Sequence, residues 1–137
     1  MGYPIGKQIK LEGRWDFDVD GGAQGAFELI SVPINFRVED IFYEIETAFT
    51  SDGTPTCELG DGDDPNGYFA DFQSTMDTPA IYGAGAQYGK GALAWEDTED
   101  SGLFKVYAAA DTIDFTVGTA DLTAGKMLVT VLGTRLK

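Results

Sequence analysis

The chain has 137 residues, 23 acidic against 9 basic side chains, a formal net charge of −14 and no histidine. The length suits one domain, and about two thirds of the unfolded surface of such a chain is buried on folding, so a core forms without metal or disulfide staples. The charge argues against nucleic acid, which needs clustered Lys and Arg to displace counterions, and the lack of histidine removes the usual activation of Ser and Cys nucleophiles together with nearly all zinc chemistry.

The N-terminal stretch "MGYPIGKQIKLEGRW" has no apolar run behind its charges, so no signal peptide is expected, and residues 1–8 read as an extended segment. "QIKLEGRWDFDV" alternates Ile9, Leu11, Gly13, Trp15, Phe17 and Val19 with polar residues, the period of a half-buried strand. "FELISVPINFRV" reads as a second strand in which Pro33, which cannot donate to a ladder, marks an edge or a bulge. "DIFYEIETAF" places Ile41, Tyr43, Ile45, Thr47 and Phe49 on one face of a third, and "TPTCEL" is a short fourth. "YFADFQSTM" is a weak helix candidate, with Phe69, Phe72 and Met76 on one face.

Residues 79–102 form a long Gly/Ala-rich loop carrying Tyr82, Tyr88 and Trp95. "LFKVYAAA", "DTIDFTV" and "KMLVTVLGTRL" are three more strands, with "ADLTAGK" as the turn before the last. That last strand is apolar on both faces, which places it centrally in its sheet. The expected fold is therefore all-β: one antiparallel β-sandwich over 1–137, jelly-roll-like, with a single long loop. No apolar run approaches the roughly 20 residues of a membrane-spanning helix, and a soluble chain is expected.

The motifs that invite chemistry mostly fail on spacing. "GDGDDPNG", residues 60–67, offers Asp61, Asp63 and Asp64 as a weak calcium candidate. Counted from Asp61 as an EF-hand, it has Pro65 at the fifth position, its glycine one place late and Phe72 at the twelfth. Asp64-Pro65-Asn66-Gly67 instead matches a type I turn, which is the preferred reading. "GAGAQYGKG" fits neither the P-loop nor the dinucleotide pattern. Cys57, next to Glu58, reads as a buried structural thiol. No carboxylate pair stands out from the acidic surface, so no catalytic residue and no cofactor is expected. Tyr82, Tyr88 and Trp95 are read as loop anchors or a subunit contact, with a sugar-stacking site as the alternative.

Two stretches carry a resemblance. "VEDIFYEIETAFTSDGTPTCELGDGDDPNGYFADF" and "KVYAAADTIDFTVGTADLTAGKMLVTV", about half the chain together, are similar to segments of small virion proteins of tailed bacteriophages. The resemblance implies a non-enzymatic, β-rich capsid decoration (cement) or head-fibre protein, often a homotrimer, bound to the major capsid protein on the outer capsid surface. It brings no catalytic residues. The charge distribution fits such a role. Five of the nine cations, Lys7, Lys10, Arg14, Arg135 and Lys137, lie near the chain ends. Side-by-side terminal strands would make them a basic pole that docks, with Tyr3 and Ile5, on an acidic shell. The alternative is a receptor- or carbohydrate-binding fibre module using the 79–102 loop.

Overall fold

In the computed structural model, residues 3–83 and 105–137 are described. They form strands β1 (Gln8–Asp16), β2 (Gly25–Val32), β3 (Phe36–Ser51), β4 (Thr56–Gly60), β5 (Ile81–Tyr82), β6 (Val106–Tyr107), β7 (Asp111–Gly118) and β8 (Leu122–Arg135), with one short helix, α1 (Phe17–Asp20). One sheet runs β1-β8-β3-β5, with β6 also on β3, and the other runs β2-β7-β4. All of these pairings are antiparallel: β1 with β8, β2 with β7, β3 with β6, then β3 with β8 and β4 with β7. This is one long hairpin wrapped on itself, the jelly-roll form of a β-sandwich. Among the described residues β7 is the only strand beside β4, and β5 joins β3.

The period-two pattern fills the space between the sheets. Leu11, Trp15, Ile41, Ile45, Phe49, Met127, Val129 and Val131 of the first sheet meet Ile30, Val32, Leu59, Ile113, Phe115 and Val117 of the second. β8 lies between β1 and β3, the central place that its two apolar faces require. Gly13 is where β1 crosses closest to β2: a Cβ there would run into the Leu29 carbonyl and the Ile30 side chain, so only glycine lets the sheets approach.

Several expected boundaries move, each for a local reason. The first strand stops at Asp16, whose carboxylate accepts the Asp18 N–H at 3.0 Å and caps α1. Phe17 and Val19 thus leave the strand pattern, and Val19 is exposed. "FELISVPINFRV" is two strands, in different sheets, because Pro33 ends β2 and Asn35 turns the chain at φ 61°. A register shift between Ile45 and Thr47 turns Thr47 outward. The last hairpin turns at Gly118–Asp121, so Leu122–Lys126 of "ADLTAGK" is already strand. "YFADFQSTM" forms only a 3-10 turn at Gln73–Thr75, yet Phe69, Phe72 and Met76 are all buried. With Tyr43 and Tyr82 the two phenylalanines build an aromatic cluster, centroids 4.6 to 5.3 Å from Tyr43.

Cys57 is fully buried, its Sγ 3.9 Å from Met76 Sδ, and burial with the nearby Asp71 and Glu58 charges pushes the thiol up to about 12. A thiol held protonated is a poor nucleophile. A thiol-reactive chromophore is therefore expected to label the native protein negligibly over hours at pH 8 and to label one site per chain at once in 8 M urea; fast native labelling would contradict the burial.

Candidate interaction surface

The acidic turn is held by a buried network. Gly67 N–H donates to the Asp64 carbonyl at 2.9 Å, closing the turn over Asp64–Gly67. Gly60 lies directly beneath it, where a Cβ would strike the Asp64 and Pro65 backbone. The Asp61 carboxylate is buried and accepts the N–H groups of Asp63 and Asp64 at 3.0 and 2.9 Å. Its other oxygen accepts the Tyr107 hydroxyl at 2.8 Å and lies 3.7 Å from the Lys105 ammonium. Since Tyr107 has spent its one proton on Asp61, the 3.0 Å contact between the Tyr68 and Tyr107 hydroxyls is donated by Tyr68. The carboxylates that converge here are Asp61, Asp63 and Asp111, with ligand atoms within 4.8 Å; Asp64 is not in the group. Lys105, 3.6 Å from Asp63 as well, supplies a positive charge among them.

Burial raises both tyrosines above the ordinary phenol range, and the Asp61 charge adds to it. Protons held more tightly in the folded state stabilise it fully below the unfolded pKa values, roughly 8.5 for thiol and 10 for phenol, and this contribution is lost as pH rises beyond them. Stability is expected to fall steadily above about pH 9. In an absorbance titration of phenolate, Tyr68 and Tyr107 should ionise only together with the loss of the circular dichroism signal; ionisation of all six tyrosines before unfolding would contradict the network.

The terminal strands do lie side by side, but antiparallel, and this spreads the five terminal cations along the sheet. Lys10, Glu12 and Arg14 lie on the outer face of β1, with Lys10 level with Leu132 and Arg14 level with Leu128. Arg14 is thus about 13 Å farther along the strand than Lys10. It is bound by two hydrogen bonds, 2.8 and 3.1 Å, to Glu46, and Lys10 sits 3.7 Å from Glu12. Lys7, Arg135 and Lys137 remain together at one end, where Gly6 N–H donates to the Arg135 carbonyl at 2.9 Å and Arg135 Nη1 to the Tyr3 carbonyl at 3.0 Å. Arg37 is close by in β3, but its guanidinium is engaged by Glu39 at 2.6 Å. Burial alone would raise the Glu39 carboxyl, but hydrogen bonds from Arg37, Thr134 and Gln8 outweigh it and hold the group below the usual range.

Two segments join the termini at this end. Asn35 of the β2–β3 turn receives the Leu136 N–H at 2.7 Å and gives its own N–H to the Tyr107 carbonyl of β6 at 2.6 Å. The two terminal segments themselves touch through a bridge between Ile5 and Arg135. Tyr3, Ile5, Lys7, Arg135 and Lys137 lie at this end, and the topology adds the exposed Ile34, Val106 and Leu136. Tyr82 is used internally: it stacks on Tyr43 at 5.3 Å and donates its hydroxyl to the Thr78 carbonyl at 2.6 Å. Tyr88 and Trp95 lie outside the described residues.

No family model and no curated protein matches the sequence. The fold, however, has counterparts. A chain of the cyanophage Pam1 capsid asymmetric unit superposes with a TM-score of 0.66 at 17% identity, over all of this chain and 91% of that one. This chain shares its fold with phage capsid chains. A chain of the Ralstonia phage GP4 capsid gives 0.64 at 11% identity over 100% and 90% of the two chains. One from the acidic stable capsid of Helicobacter pylori bacteriophage KHP30 gives 0.61 at 11% over 96% and 90%. The resemblance of the two sequence stretches and the likeness of the fold both lead to phage virions.

Proposed function

We propose that the chain is a structural, non-enzymatic phage virion protein that binds the outer surface of the capsid as a decoration, or cement, protein. The observation behind this reading is the fold likeness to chains of three phage capsid structures, spanning at least 96% of this chain and at least 90% of each of theirs. A fold alone does not fix a function; here the two sequence stretches and the chemistry point the same way. The chain has no histidine, and its one thiol is buried and protonated. In this reading the partner is the major capsid protein, the copies associate as a homo-oligomer (a trimer by resemblance), and the basic terminal residues face the shell. The acidic body then faces solvent, where like charge keeps particles apart.

The reading predicts that purified virions contain the chain in a fixed ratio to the major capsid protein and that antibodies against it label intact particles. Its absence from virions, or labelling only after the capsid is broken open, would overturn the reading. A sugar-binding role is not favoured by any described residue, since Tyr82 is committed to the aromatic cluster.

A further inference from the structure

Large apolar side chains exposed among the described residues are seven in number, and five of them, Tyr3, Ile5, Ile34, Val106 and Leu136, lie at one end of the sandwich, each 41 to 59% exposed. They come from the N-terminal segment, the β2–β3 turn, β6 and the C-terminal residues, which the bridges and hydrogen bonds around Asn35 and Arg135 draw together. The other two, Val19 and Ile81, stand apart on α1 and β5. Scattered single apolar residues are ordinary on a surface, whereas a contiguous group marks a contact.

Charge at this end is as selective. Among the described residues, Lys10, Arg14, Arg37, Lys105 and Lys126 each have a carboxylate within 4 Å. Lys7, Arg135 and Lys137 have no such carboxylate among those ion pairs, and all three border the apolar group. Arg135 Nε is buried with no hydrogen-bond acceptor, an arrangement that costs stability. In a chain of net charge −14, cations left without a carboxylate partner beside an apolar cap fit a partner surface of the opposite kind.

We infer that this end of the sandwich is the docking surface, and that it seats its apolar cap on an apolar patch of the shell protein rimmed by carboxylates, which meet Lys7, Arg135 and Lys137. The inference rests on the decoration reading. Apolar contact supplies most of the affinity, and the cations steer the approach and set the orientation.

The test is a titration of undecorated capsids with the wild-type chain, Ile5→Ser/Leu136→Ser, Lys7→Glu/Lys137→Glu and Ile81→Ser, each checked for an unchanged melting profile. The apolar double variant should bind about 100-fold more weakly. The charge variant should bind about tenfold more weakly at low salt, with the deficit shrinking as salt screens it, and Ile81→Ser should bind like wild type. If wild type binds and both double variants match it, the docking surface lies elsewhere and the decoration reading stands. Failure of the wild type to bind overturns both.

Discussion

Replacing Trp15 by alanine is expected to lower the unfolding free energy by about 4 kcal/mol, a large part of the roughly 5–15 kcal/mol that holds a domain of this kind. Trp15 is fully buried in β1 at the point where both sheets converge. Its rings meet Phe49 of the same sheet edge-on at 4.9 Å and Phe115 of the opposite sheet at 5.3 Å, with Phe27 at 6.2 Å. Its indole N–H donates to the Gly21 carbonyl at 3.0 Å, tying the end of α1 to the core. Alanine removes this packing, opens a cavity between sheets whose strands are fixed by their ladders, and leaves that carbonyl without its donor. Phenylalanine keeps part of the ring contact and should cost about half as much. Urea unfolding checks both: the midpoint should fall with little change in slope, and a loss below about 1 kcal/mol for the alanine variant would contradict the packing described.

The second large effect is expected at Asp61. Alanine there strips the acceptor from the Asp63 and Asp64 N–H groups and from the Tyr107 hydroxyl, and removes the buried one of the two carboxylates beside Lys105. Breaking a buried, hydrogen-bonded charge network from one side costs about 3 kcal/mol. Asparagine should cost less, about 1–2 kcal/mol, because its carbonyl still accepts both backbone N–H groups and closes the same turn. Equal stability of the alanine variant and wild type would mean that the turn is held by something other than this carboxylate.

Much of the fold is legible in the sequence because period-two patterning is a local signal. Ile9, Leu11, Gly13 and Trp15 face the core as their alternation requires, and the two apolar faces of β8 place it between two neighbours. Where the reading slips, a single residue overrides the pattern: Asp16 caps a helix in what reads as strand, Pro33 and Asn35 divide one apolar run between two sheets, and a bulge rotates Thr47 to solvent. The turn at 64–67 is written in its residues, while the partners of Asp61 are not, because Lys105 and Tyr107 are more than forty positions away.

The proposed docking end shows both limits at once. Proximity along the chain suggests a pole of five cations, but the antiparallel register carries Arg14 away to Glu46 and leaves Lys10 beside Glu12. In exchange, topology brings in Ile34, Val106 and Leu136, none of which stands out in the sequence as an interaction residue.

The account is tested most directly by co-sedimenting the purified protein with undecorated capsids and measuring the added mass per particle. It predicts saturable binding that levels off at a copy number set by the symmetry axes of the shell lattice. Particles that gain no mass at any concentration of folded protein would contradict it.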